Sequence, residues 1–298
     1  MGRYAEPLIH PHQLPALENR VEVLIAEARL AHRSSTDPND VEEEQLMTVL
    51  VSFDPELAQR LAARALAGTF ISAQSTFEQL PAGRELADWL IKLLNGRTAA
   101  SVCLVWSLPA VNSEETAQQI EAVITGLRTS QHHLQLAVAV SVKPAEWCSL
   151  VSIDGFVAGS AERNDGAPLV VFNMLAALMA PGLTACLDAE DLKAVFGSTV
   201  YPSRAASGVW LEGDETFILA TDEDRHLMKN SRAIAFMPSR PLSISSLSEL
   251  LQALRKFAAS DSEIVMVAPY GMSSVPLLVD QIVSILMIAA PVANSRTT

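Results

Sequence analysis

The sequence predicts an α/β fold, with a Rossmann-like parallel sheet first, a buried central helix next and a smaller α+β domain last. Between residues 46 and 157, short apolar, β-branched runs alternate with helix-forming stretches. Such alternation makes a parallel sheet covered on both faces. Residues 168–180, PLVVFNMLAALMA, are apolar almost all the way round, as a buried helix must be. From residue 184 onward the texture changes to strand-like and helical segments that suit a mixed sheet.

Residues 1–45 are expected to hold a loose arm (1–13), an amphipathic helix (14–32) and an acidic linker (34–44, SSTDPNDVEEE). The helix expectation rests on Leu17, Val21, Leu24 and Ala28 recurring along one side, with Glu18, Glu22 and Arg29 elsewhere. That stripe either packs on its own domain or offers Leu17, Val21 and Leu24 to a partner protein.

The α/β domain is placed at 46–165. Strand 47–52 leads to helix 54–67, a short strand at 69–72, and helix 84–94 with Leu86, Leu90, Ile91 and Leu94 inward. Strand 101–107 precedes helix 113–128, whose first turn carries Glu114 and Glu115 as the helix dipole prefers. Strand 136–142 ends at Lys143-Pro144, and a further strand is expected over 149–157. The central helix segment spans 166–183 and stops at Pro181-Gly182. The last domain, 184–298, should contain helix 188–196, strands 208–212 and 216–220, and a polar connection. Strand 233–237, helix 246–258 and strands 264–268 and 279–288 complete it.

Hydrophobic residues make up 49% of the 298 residues and charged ones 18%, a globular composition. A net charge of -13 argues against a nucleic-acid or anionic-membrane surface. Cys103, Cys148 and Cys186 are an odd, widely spaced set, which reads as thiols of a reducing compartment. Residues 1–15 lack the apolar core of a signal peptide, and 277–290 is interrupted by Asp280, Gln281 and Ser284. A cytoplasmic protein with no membrane insertion is expected.

The turn after strand 47–52 is the informative one. A strand feeding a helix N-terminus is where nucleotide-binding α/β proteins cradle phosphates, with glycines letting the backbone approach. Here the turn reads Ser52-Phe53-Asp54-Pro55 and has no glycine. Asp54 suits the N-cap, Pro55 the first helical position, and Glu56 adds a second charge. The Asp54 carboxylate would repel a phosphate charge by about 4 kcal/mol at roughly 4 Å and an effective dielectric of about 20. No nucleotide is expected there.

Other constellations are weaker. No histidine pair has zinc-like spacing except His10 and His12, and two imidazoles do not close a site. No Gly-x-Ser-x-Gly elbow occurs, and Cys103 lies mid-strand, where a thiol is packing. Tyr201-Pro202-Ser203-Arg204 reads as a solvated loop with an accessible arginine. Lys143-Pro144 also suits a receiver domain, but Val105 to Leu108 offer no phosphorylatable aspartate.

The order of elements resembles the tubulin/FtsZ superfamily of filament-forming GTPases. The local matches are Pro181-Gly182-Leu183 followed by Asp188 and Asp191, the strand 136–144 ending in Lys-Pro, and the strand–helix–strand run 233–268. The resemblance implies a glycine-rich phosphate loop after each of strands 47–52 and 101–107. Instead the second position reads Ser107-Leu108-Pro109-Ala110-Val111-Asn112-Ser113, whose side chains and proline would block close backbone approach. It also implies that Asp188 and Asp191 match the acidic loop that enters a neighbouring subunit's nucleotide pocket. Ala185, Cys186 and Leu187 stand where the family has an asparagine, and Asp188 also suits a plain helix cap. The reading is therefore of a member without GTP, cofactor, metal or catalysis. It would act on a protein partner, either itself or an FtsZ/tubulin-like filament subunit. Residues 291–298 carry no apolar anchor, so recruitment to a membrane through such a tail is not expected. The competing expectation is a small-molecule module or enzyme whose site, lined by residues 107–112 and 143–147, lies at the strand carboxyl ends.

Overall fold

Uncharged runs of Val, Leu, Ala and Trp stand wherever a strand is covered on both faces. In the computed structural model the described residues are 21–33, 41–53, 75–81, 83–96, 101–130, 133–147, 151, 153–159, 167–178, 203–211, 217–219, 221–238, 242–266 and 281–289. The elements are β1 (Glu22–Arg33), β2 (Val41–Ser52), β3 (Ser75–Gln79), α1 (Leu86–Asn95), β4 (Ser101–Ser107) and α2 (Glu114–Thr129). Then come β5 (His133–Ser141), α3 (Pro144–Trp147), β6 (Gly155–Ala158), α4 (Ala167–Leu178), β7 (Ser203–Trp210) and β8 (Phe217–Leu219). The last are α5 (Asp222–Asn230), β9 (Ser231–Pro238), α6 (Ile244–Phe257), β10 (Glu263–Met266) and β11 (Gln281–Ala289).

Among the described residues the strands make one sheet, ordered β10-β9-β11-β7-β6-β5-β4-β2-β1-β3, with β8 beside β7. From β2 through β4, β5 and β6 to β7 each pair is parallel, the arrangement the strand–helix alternation predicts. The smaller carboxyl-terminal part is mixed: β11 is antiparallel to both β7 and β9, and β10 is parallel to β9. The two parts join through Val157 beside Ser203 and Ala158 beside Arg204.

Side-chain alternation assigns the faces. Cys103 and Val105 of β4 pack with α4, while Val102, Leu104 and Trp106 pack with α1 and α2. The core of α4 takes in Ala205 of β7 and Met237 of β9 as well as Leu50 of β2, so the helix spans both parts of the sheet. Its buried residues run almost without break from Ala167 to Leu175, which explains why the sequence shows no polar stripe there. On the opposite face of β7 and β9, Met228 of α5 and Leu250, Ala253 and Leu254 of α6 cover Ala206, Ile234 and Phe236.

Four expectations are corrected. The amphipathic helix over 14–32 is a strand from Glu22 onward, antiparallel to β2 from Glu22 beside Ser52 to Arg33 beside Val41. Val21, Val23 and Ile25 are buried in alternation, a period-two set that shares only Val21 with the helical stripe, and pairing along all of β2 overrides that stripe. The acidic linker over 34–44 is strand from Val41, the start of β2. The polar connection after β8 contains α5, whose Thr221 hydroxyl accepts from the Asp224 amide at 3.0 Å. The strand expected over 149–157 begins only at Gly155. Helices 54–67 and 188–196 and the strand at 69–72 fall outside the described residues.

Two glycines give opposite predictions for stability. A Cβ on Gly208 would overlap the Phe217 ring, which is buried and meets Phe257 edge-on at 6.2 Å. Gly208→Ala should cost about 1–3 kcal/mol by overpacking. A Cβ on Gly126 of α2 would meet only the Cδ1 tip of half-buried Ile91. Replacing a mid-helix glycine gains about 1 kcal/mol of propensity, so Gly126→Ala should be neutral or stabilising. Urea unfolding of both variants checks the contrast.

Candidate functional site

The sheet itself indicates where a ligand would go. The chain runs from β2 to β3 on one flank, then returns through α1 to β4 on the other flank of β2. Strand order reverses between β2 and β4, and open α/β sheets bind ligands outside the strand carboxyl ends at such a point. The candidate site is thus built by Ser52 and Phe53 at the end of β2 and by residues 107–113 after β4.

The two strands end level, with Ser52 beside Ser107, and both serines are buried. The Phe53 amide then donates to the Ser107 carbonyl at 2.9 Å, and the Leu108 amide donates to the Val140 carbonyl at 2.9 Å. Backbone pairing therefore continues past the strands into both turns. The Phe53 ring lies over Trp106 with centroids 6.0 Å apart and planes 20° apart. Leu108 is buried as well. Aromatic and aliphatic groups fill the floor where a phosphate cradle would need bare backbone.

The rest of the loop is tied down from β5's side. The fully buried Trp147 of α3 donates its indole Nε1 to the Pro109 carbonyl at 3.3 Å. The Asn112 side chain donates Nδ2 to the Glu146 carbonyl at 3.0 Å. Lys143 pairs with Glu146 at 2.9 Å, and its amide donates to Ser141 Oγ at 3.1 Å. At the start of α2, Ser113 Oγ accepts from the Thr116 amide at 3.0 Å, while exposed Glu114 and Glu115 occupy the first turn. An anion arriving there would meet a capped helix and two like charges. Lys143 and Trp147, which sequence alone places at a small-molecule site, bond to Glu146 and to the Pro109 carbonyl.

Of the other predicted site residues, Asp54, Pro55, Asp188, Asp191 and Leu17 lie outside the described residues. Val21 is buried at the foot of β1, and Leu24 stands in β1 beside Leu50 and Phe77. Among the described residues no group of three or more His, Cys, Asp or Glu could hold a metal ion. Among the same residues no helix is long and apolar enough to cross a membrane.

Arg204 corrects a further expectation. It belongs to β7 and is buried rather than exposed in a solvated loop. Its Nε donates to buried Asp224 at 2.6 Å, and Nη1 and Nη2 engage the two oxygens of exposed Glu223 at 2.9 and 3.0 Å. Only the fold brings these residues, nineteen and twenty positions apart, together. The legible signal was Thr221 followed by Asp222, Glu223 and Asp224, an N-terminal helix signature.

No protein-family profile matches the sequence, and no curated protein matches it. Similar solved structures include an empty FtsZ dimer from M. jannaschii, at 15% identity and a TM-score of 0.29, covering 65% of this chain. The chain spans 56% of the length of that FtsZ. A substituted FtsZ from the same organism has 11% identity and a TM-score of 0.34, covering 68% of this chain and 69% of that one. A GTPγS-bound CetZ2 protofilament from Haloferax volcanii has 11% identity and a TM-score of 0.34, covering 67% and 69%.

Asp224→Ala would leave the buried Arg204 guanidinium with Glu223 alone. It should cost about 3 kcal/mol, the lower end for a broken buried pair. Glu223→Gln, at an exposed carboxylate, should cost less than about 1 kcal/mol. Chemical denaturation of the two variants tests this ranking.

Proposed function

We propose that this chain is a non-catalytic, cytoplasmic FtsZ/tubulin-like protein that binds no GTP and acts through protein contacts. It either assembles with itself or docks on a filament-forming homologue and limits its growth. The observation that carries the proposal is the β4–α2 loop. It is glycine-free, contains Pro109, and is tethered by Trp147 and Asn112. The turn after β2 agrees, since the Phe53 amide is engaged by Ser107 and its ring lies against Trp106. With neither turn carrying the glycines of a phosphate cradle, this reading leaves surfaces rather than chemistry to work.

The direction of docking comes from the sequence resemblance. Head-to-tail contacts in that superfamily are heterologous, so they propagate or are capped. A subunit carrying Asp188 and Asp191 at one end, and no nucleotide at the other, would add to a filament's exposed nucleotide face and stop it.

The test is sedimentation of a purified filament-forming GTPase of that superfamily from the same cell, with and without this chain. Substoichiometric protein should reduce pelletable polymer, and Asp188→Ala combined with Asp191→Ala should weaken the effect. Unchanged polymer, together with a chain that stays monomeric at all concentrations, would refute both forms of the proposal.

A further inference from the structure

We propose that α3 is a built-in latch that sets the order of the β4–α2 loop, so that this loop needs no ligand to hold one conformation. The inference deepens the preceding reading, and its ligand independence rests on that reading. In nucleotide-binding α/β proteins a bound phosphate gathers the loop amides at this position. Here both tethers use groups a phosphate would not organise. One is the Pro109 carbonyl, taken by the Trp147 indole, and the other is the Asn112 carboxamide, which reaches the Glu146 carbonyl.

A four-residue helix does not persist by itself. This one is fixed by its own set of contacts: Trp147 is fully buried, the Val151 amide donates to the Trp147 carbonyl, and the Glu146 amide donates to the Lys143 carbonyl. The Ser141 hydroxyl and the Lys143–Glu146 ion pair complete it. The latch therefore belongs to the carboxyl end of β5 and grips a loop 34 to 38 residues earlier in the chain. Its consequence is that Val111, 75% exposed at the loop tip, is displayed in one fixed place.

Amide hydrogen exchange of the full chain tests this. The reporting segment is 107–117, which contains the Leu108, Thr116 and Ala117 amides, and the reference segment is β9. Asn112→Ala removes an exposed side chain and leaves the core intact. Trp147→Phe keeps a buried ring but removes the indole donor. Each variant should speed exchange of 107–117 about five- to tenfold, the effect of one lost hydrogen bond, with β9 unchanged. Unchanged exchange in both variants would overturn the latch. So would an equal acceleration of β9 in Asn112→Ala, because that marks a weakened fold rather than a loosened loop. GTP slowing exchange of 107–117 in the unsubstituted protein would instead sink the reading of a closed site, while the two variants would still judge the latch.

Discussion

A carbonyl at the carboxyl end of a parallel strand must find a donor, and at Pro109 the donor is the buried indole of Trp147. Much of the candidate site depends on this contact. Proline at that position removes an amide from the loop and makes the preceding Leu108 extended, so Leu108 stays in the sheet by donating to Val140. The loop is thereby tied to β5 at Leu108 and to α3 at Asn112. Glycines would lower the barrier to other loop shapes, and there are none between Ser101 and Thr125.

The same economy of parts shows in the sheet. The central helix covers strands of both the parallel and the mixed parts, so the two parts share one core face. Arg204 stands where they meet, at the first residues of β7, and its bond to Asp224 fastens α5 to that seam. A buried guanidinium is tolerated there because its fork meets one buried carboxylate and both oxygens of another. Such a pair gives specificity of arrangement more than net stability.

The parallel strands were legible because fully buried strands read as continuous apolar runs: Val102 to Trp106 and Ala137 to Val140 carry no charge. Helices α1, α2 and α6 were legible as helix-forming stretches, and in the structure Ser113 and Ser243 cap two of them, each accepting from the amide three residues on. What sequence missed were segments whose state is decided by partners far along the chain. The stretch from Glu22 to Arg33 has a stripe that suits a helix, yet β2 and β3 flank it as a strand. α5 is mostly polar, so its sequence suits a connection as well as a helix, although Thr221 is a readable cap. At the candidate site, the missing glycines were readable and the closing contacts were not. Nothing in the spacing of Pro109 and Trp147 foretells a hydrogen bond 38 residues apart.

Equilibrium dialysis of the full chain against labelled GTP with magnesium addresses the central claim most directly. A crevice filled by Phe53, Trp106 and Leu108 should retain no nucleotide, with a Kd weaker than about 1 mM, or less than about 4 kcal/mol of binding. Saturable retention of GTP at micromolar concentration would contradict it.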